Sequence, residues 1–194
     1  MKGLDTVKVS EDYDNVVGVN WAFLLPNVWL NVVCDYRCVE KMLEDERFKS
    51  WLCKGGICYF IDHAQQVRRY SGCISVKSTY PNWQTGNPED GLYCRSHVGL
   101  SGLNLATILA RADGEDEFDG VYAQVDIYGL DLNETVSGRT ENWHAEHDPK
   151  WAGHAKTSYP GMLKATAEAQ AKIPAHIKVV NKNANSAYRG FEFA

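Results

Sequence analysis

One segment of the sequence alternates between apolar and polar residues with unusual regularity. It runs from Phe118 to Leu132, and its apolar side chains occupy every second position: Val121, Ala123, Val125 and Ile127. A period of two residues is typical of a β-strand with one buried face and one exposed face. The segment therefore predicts a half-buried strand, and any fold for this chain has to include a sheet.

Three other segments show helical spacing, with apolar residues recurring every three or four positions: 36–52, 103–112 and 160–173. Asp35 can cap the first of these helices, and Pro160 suits the first position of the third. The apolar run Ile57–Ile61 is typical of a buried strand. Strands and helices mix without a regular β-α-β rhythm, so the sequence predicts an α+β fold with a mainly antiparallel sheet and about three helices.

The length of the chain limits the number of domains. It has 194 residues and contains no internal repeat, low-complexity tract or long linker. The most linker-like segment, 78–90, holds two prolines, a glycine and two asparagines and indicates an ordered surface loop. The sequence therefore predicts a single compact domain that covers residues 1–194.

Charge is distributed unevenly along the sequence. The net charge of −5 argues against a general nucleic-acid binder, because such domains tend to be basic. Residues 113–148 carry eleven acids and one arginine, whereas residues 156–194 carry six bases and two acids. The two segments either neutralise each other inside the fold or form a bipolar surface for a charged partner or for self-association.

The six cysteines and the chain ends bear on the compartment. No two cysteines form a C-x-x-C pair, and the N-terminus lacks the layout of a secretory signal. The longest apolar stretch, 16–34, is interrupted by asparagines and a proline, which argues against a membrane helix. We expect free thiols, no membrane insertion and a cytoplasmic protein.

A cluster of imidazoles and carboxylates is the first candidate for chemistry. His144, His147 and His154 lie within eleven residues of one another and could hold zinc, manganese or iron. Glu146 and Asp148 would then serve as ligands or as the general base that activates a metal-bound water. The alternative is a polar loop whose histidines are solvated or stack on other side chains.

A glycine-containing turn before a helix is the second candidate. Gly99 and Gly102 frame the predicted start of a helix, where backbone N–H groups can hold a phosphate or a carboxylate with help from Arg95 and Ser101. Neither the Walker pattern nor the dinucleotide fingerprint is present, so a tight turn capped by Ser101 is the alternative. Trp143, in a polar segment, could add a stacking surface for a ligand.

Three functions are compatible with these patterns. The first is a cytosolic binding or interaction protein, of phage type or an accessory factor, that presents the acidic strand and loop surface 113–148 to a protein or binds a small anionic ligand. The second is a small metal-dependent hydrolase built on the histidine cluster. The third is a self-assembling structural protein in which the acidic segment of one copy contacts the basic tail of another. No complete catalytic signature is present in the sequence, which favours the binding protein.

Overall fold

The computed structural model describes residues 12–13, 15–112, 123–129, 152–183 and 186–193, with the backbone alone at 37, 111–112 and 152–159. The chain divides into two compact units, Lys2–Leu109 and Ala110–Ala194. The single domain expected from the sequence stays a prediction. Among the described residues, no helix is both long enough and apolar enough to span a membrane.

The first unit is built on a four-stranded sheet. Its elements follow one another as strand β1 (Val16–Val19), a 3-10 helix (Asn20–Leu24), β2 (Val28–Val33), helices α1 (Tyr36–Glu44) and α2 (Glu46–Cys53), β3 (Ile57–Ile61), α3 (Ala64–Val67), β4 (Cys73–Val76), a second 3-10 helix (Pro88–Asp90) and α4 (Val98–Ala112). The strands lie in the order β1-β2-β3-β4, and every neighbouring pair is parallel.

The expectation of a mainly antiparallel sheet is therefore wrong. Parallel neighbours need a crossover, and here the crossovers differ greatly in length, from residues 20–27 between β1 and β2 to residues 34–56 between β2 and β3. This unevenness hides the β-α-β rhythm in the sequence. The nearly continuous apolar runs of β2 and β3 are what a parallel sheet covered on both faces requires.

The helix boundaries also differ from those expected. The segment 36–52 forms two helices, because Asp45 leaves the helical conformation and accepts a hydrogen bond of 2.8 Å from the backbone N–H of Arg47, which caps α2. The helix expected over 103–112 begins earlier, at Val98, and includes both glycines of the predicted turn. The helix expected over 160–173 spans Ala152–Gln170, so that Pro160 lies inside it and not at its first position.

Both faces of the first sheet are buried. Alternate residues of the strands face α4 on one side and α1 and α2 on the other, as the pleat requires. The α4 side contains Leu30, Val32, Tyr59, Ile61, Val76, Leu92, Leu105 and Ile108. The other side contains Trp21, Phe23, Val33, Cys38, Val39, Met42, Leu43, Phe48, Cys58, Phe60 and Val67.

The second unit contains a parallel three-stranded sheet in its described part. Strands β5 (Ala123–Ile127), β6 (Ile177–Asn181) and β7 (Glu192–Phe193) lie in that order, and helix α5 (Ala152–Gln170) separates the first two along the chain. The alternating segment predicted from the sequence contains β5. Asp126 of this strand forms an ion pair of 3.3 Å with Lys182, and its side chain is only 6% exposed.

Candidate functional site

The strands of the first sheet end at nearly the same level. The register pairs Val33 with Phe60 and Ile61 with Val76, and each of these four residues lies at or next to the carboxyl end of its strand. Neighbouring strands lie about 4.8 Å apart. The residues that follow the strands therefore form one row, which we call the strand-end row: Asn20, Cys34, Asp62 and Lys77.

Asn20, the first residue of the row, is hydrogen-bonded to a buried asparagine of β2. The Nδ2 of Asn31 donates to the backbone carbonyl of Asn20 at 2.8 Å, and Asn31 has no exposed surface. Asn20 adopts a φ of 51°, a conformation that asparagine tolerates better than most residues. A Cβ at Gly18 would lie 2.5 Å from the Oδ1 of Asn31, so glycine is required for the asparagine to fit.

The middle of the row combines an imidazole with an exposed aromatic ring. The Nε2 of His63 lies 3.1 Å from the carbonyl oxygen of Cys34, and His63 is only 8% exposed. The Tyr36 ring lies 6.0 Å from the His63 ring and is 49% exposed. Asp62, beside His63, is exposed and has a φ of 63°. This part of the edge therefore offers both an aromatic face and a carboxylate.

The loop between β4 and α4 is fixed to α4 by a buried asparagine. The Oδ1 of Asn104 accepts from the backbone N–H of Tyr93 at 2.8 Å, and its Nδ2 donates to the carbonyl of Gln84 at 2.8 Å. Trp83 donates from its indole to the hydroxyl of Thr107 at 3.2 Å. These bonds fix the backbone just before Cys94 and Arg95, and the hydroxyl of Ser78, which follows Lys77 of the row, donates to the carbonyl of Cys94 at 3.1 Å.

A cation and a second exposed ring lie on this loop. The guanidinium of Arg95 lies 4.7 Å from the centre of the Tyr80 ring, a cation–π distance. Tyr80 is 45% exposed and also packs edge-on against Tyr93, with the ring centres 5.8 Å apart. Tyr80 and Tyr36 are two of the three exposed large hydrophobic side chains in the described part of the chain, and both follow carboxyl ends of strands.

Helix α4 begins three residues after Arg95. Gly99 lies in its first turn, and Ser101 is fully buried, so its hydroxyl is not open to a ligand. A Cβ at Gly102 would lie 2.5 Å from a methyl group of Val19, which shows that this glycine lets α4 pack closely against β1. Of these predicted residues, Arg95 and Gly99 are the ones best placed for a ligand.

The pKa values of Cys34 and Cys94, the two thiols near the row, are shifted in opposite directions. The hydrogen bond with Cys34 lowers the pKa of the Cys94 thiol from 9.0 to about 7, and contact with Ser101 acts in the same direction against the effect of burial. The same thiol–thiol hydrogen bond, together with burial, raises the pKa of Cys34 far above its ordinary value. Burial also lowers the pKa of His97 to about 4.

Most of the predicted histidine cluster lies outside the described residues, and so does Trp143. The cluster residues concerned are His144, Glu146, His147 and Asp148. The backbone of His154 lies in α5, and its side chain is not described. Within the described ranges, no group of three His, Cys, Asp or Glu side chains could hold a metal ion. The metal site stays a prediction.

A shallow depression of about 480 Å³ lies beside the edge strand β4. It is lined by Ala64, Gln65, Arg68, Cys73, Ile74, Ser75 and Glu89. The depression shares no residue with the strand-end row, whereas ligands of open parallel sheets bind outside the carboxyl ends of the strands. We therefore place the candidate site at the row.

Sequence reasoning named Arg95 and Gly99 but not the residues of the strand-end row. The signal was present, since Cys34 and Asp62 each directly follow a buried apolar strand. Only the parallel direction of the strands places such residues at one edge. No protein-family model, curated protein or solved structure matches the chain, so the site is argued from its geometry.

Proposed function

We propose that the chain is a binding protein for a small ligand that carries an anionic group, and that this ligand occupies the carboxyl edge of the four-stranded parallel sheet. Ligands of open parallel sheets bind outside the carboxyl ends of the strands. One observation carries the proposal: polar groups of the strand-end row, the two exposed tyrosines and the start of α4 meet at this edge of the first unit.

The chemistry of the edge indicates the type of ligand. Arg95 and the backbone N–H groups of the first turn of α4 are suited to a phosphate or a carboxylate. Tyr36 and Tyr80 offer ring faces on which a flat or apolar part of the ligand can stack. Asp62 would repel the anionic group and accept hydrogen bonds from hydroxyl or amino groups at the other end.

The acidic segment 113–148 was the surface expected to bind a partner. In its described part, Asp126 is almost buried and pairs with Lys182 of the basic segment. This pair favours internal neutralisation at that position, which is why the proposal relies on the sheet edge instead. We keep the cytosolic location as part of the proposal, supported by six free thiols.

Isothermal titration calorimetry with four probes tests the proposal: inorganic pyrophosphate, ribose 5-phosphate, and adenosine and uridine monophosphate. We expect at least one phosphorylated probe to bind. Arg95→Ala should weaken it about ten- to hundredfold, because a hydrogen bond to a charged group contributes about 1.5–3 kcal/mol. Tyr36→Ala should weaken only the probes that contain a base.

A matched control is available in the second unit. Arg189 lies over Phe193 at 4.6 Å, nearly the same cation–π geometry as that of Arg95 over Tyr80 at 4.7 Å. Arg189→Ala should leave the affinity of the probes unchanged. If no probe binds at millimolar concentration, or if both arginine variants bind as the unmodified protein does, the proposal is wrong.

A further inference from the structure

The four-stranded sheet has an open edge at β4. In the described part of the chain, β4 (Cys73–Val76) is paired with a strand on one side only. The depression of about 480 Å³ lies along its other side. We propose that this edge is a docking site for an extended peptide of a partner protein, which adds to the sheet as a further strand and carries an acidic residue next to a basic one.

The backbone groups of β4 point alternately to β3 and to the open side. In a parallel pair, every second residue directs both its N–H and its C=O to the neighbouring strand. The carbonyls of Gly72 and Val76 accept hydrogen bonds of 2.8 Å from the β3 side. The residues at odd-numbered positions, Cys73, Ser75 and Lys77, therefore direct their backbone groups to the open side.

Two of the backbone groups on the open side are already hydrogen-bonded. The N–H of Cys73 donates to the carbonyl of Tyr70 at 3.2 Å, and the carbonyl of Lys77 accepts from Leu92 at 3.1 Å. The other four, which we call the open edge groups, have no partner among the described residues. They are the C=O of Cys73, both groups of Ser75 and the N–H of Lys77. An added strand recognises such a row through its own backbone.

The shape of the depression favours a single peptide over a second copy of the chain. Residues 73–75 are half-buried, whereas the residues of α3 and of the second 3-10 helix that line the depression are exposed. The edge strand is therefore recessed between its neighbours. The β4 of a second copy would be recessed in the same way and could not reach this edge, but one extended segment can.

Two opposite charges flank β4 and determine the chemistry of the peptide. Arg68 and Glu89 both line the depression, and neither has an ion-pair partner among the described residues. Each is exposed at the surface. A peptide that carries a carboxylate and an ammonium or guanidinium group can pair with both of them.

The two charges lie towards opposite faces of the sheet. Arg68 follows Val67, which packs on the α1 and α2 side, and Glu89 precedes Leu92, which packs on the α4 side. Successive side chains of a strand also face opposite sides. The acidic residue that meets Arg68 and the basic residue that meets Glu89 therefore lie an odd number of positions apart, and the simplest arrangement places them next to each other.

Random heptapeptides displayed on phage and selected on the full chain are the probe for this site. We expect the selected peptides to carry an acidic and a basic residue at odd spacing. Arg68→Glu and Glu89→Lys should each weaken a selected peptide at least about tenfold, because like charges then meet. Arg69→Glu and Asp90→Lys change exposed neighbours that do not line the depression, and they should alter the affinity by less than about twofold.

Amide exchange measured by NMR determines whether the peptide pairs with the edge. A saturating peptide should slow the exchange of the Ser75 and Lys77 amides at least about tenfold. The amides of Ile74 and Val76 face β3, so they serve as internal controls and should change little. Ser75→Pro removes only an outward N–H, which edge strands tolerate, and it should weaken binding about tenfold.

Several results would overturn the proposal. One is a library that yields no binder, and another is a peptide that binds the Arg68 and Glu89 variants as tightly as the unmodified protein. A peptide that leaves the Ser75 and Lys77 amides unprotected would bind elsewhere. Protection that rises with protein concentration in the absence of peptide would place a second copy at the edge. The exchange experiment uses the unmodified protein, so it gives an answer even if a variant does not fold, and it is independent of the ligand proposed for the strand-end row.

Discussion

Replacing Asn104 with alanine tests how the candidate site is held together. Asn104 has no exposed surface, and its side chain makes two hydrogen bonds of 2.8 Å to the loop that carries Cys94 and Arg95. The substitution leaves the N–H of Tyr93 without its partner inside the protein, where an unsatisfied donor costs about 1–3 kcal/mol. The carbonyl of Gln84 is half-buried and water can replace its bond, so its loss adds about 0.5–1.5 kcal/mol.

We therefore expect Asn104→Ala to lower the free energy of unfolding by about 2–4 kcal/mol in urea denaturation followed by tryptophan fluorescence. Hydrogen–deuterium exchange should locate the loss, because the amide of Tyr93 should exchange at least about tenfold faster if the bond to Asn104 protects it. Asn82→Ala removes an exposed asparagine from the same loop and should change stability by less than about 0.5 kcal/mol.

The result that would refute this reasoning is an Asn104→Ala protein with the stability of the unmodified chain and an equally protected Tyr93 amide. The loop would then be held by other contacts, such as the bond between Trp83 and Thr107. An equal loss in Asn82→Ala would also contradict it, since the effect would not be specific to the buried amide.

Three further predictions concern one buried ring and two partly buried titratable groups. Phe48 is fully buried between Phe23 and Phe60, and replacing it with alanine should lower the free energy of unfolding by about 3–5 kcal/mol in urea denaturation. A loss below about 1 kcal/mol would contradict the packing. His97 stays neutral in the fold to about pH 4, whereas the unfolded chain binds a proton near pH 6.5, so stability present above pH 6.5 is lost as the pH falls. The loss of unfolding free energy should reach roughly 3 kcal/mol at most, and His97→Gln should not show it. If the free energy of unfolding of the two proteins varies with pH in parallel, the prediction is wrong. Alkylation of Cys94 by iodoacetamide should rise with pH and reach half its maximum near pH 7, and a midpoint near 9 would exclude the lowered pKa.

Part of the candidate site could be predicted from the sequence. A strand that leads through an arginine and two glycines into a predicted helix is a local feature, and Arg95 and Gly99 were named from it. The strand-end row is not local, because Cys34 and Asp62 become neighbours only when β2 and β3 run in the same direction. The sequence-based expectation of an antiparallel sheet would have placed them at opposite edges.

Helical and strand periods depend on residues a few positions apart. For that reason the sequence alone determined that most of 36–52 is helical and that Ile57–Ile61 is a buried strand, but not that Asp45 divides the helix in two. Strand direction depends on the path of the crossovers and on which faces the helices cover, which no short window of sequence contains. The tertiary structure alone therefore decided that the sheet is parallel and that Cys34 and Asp62 lie at the same edge of it.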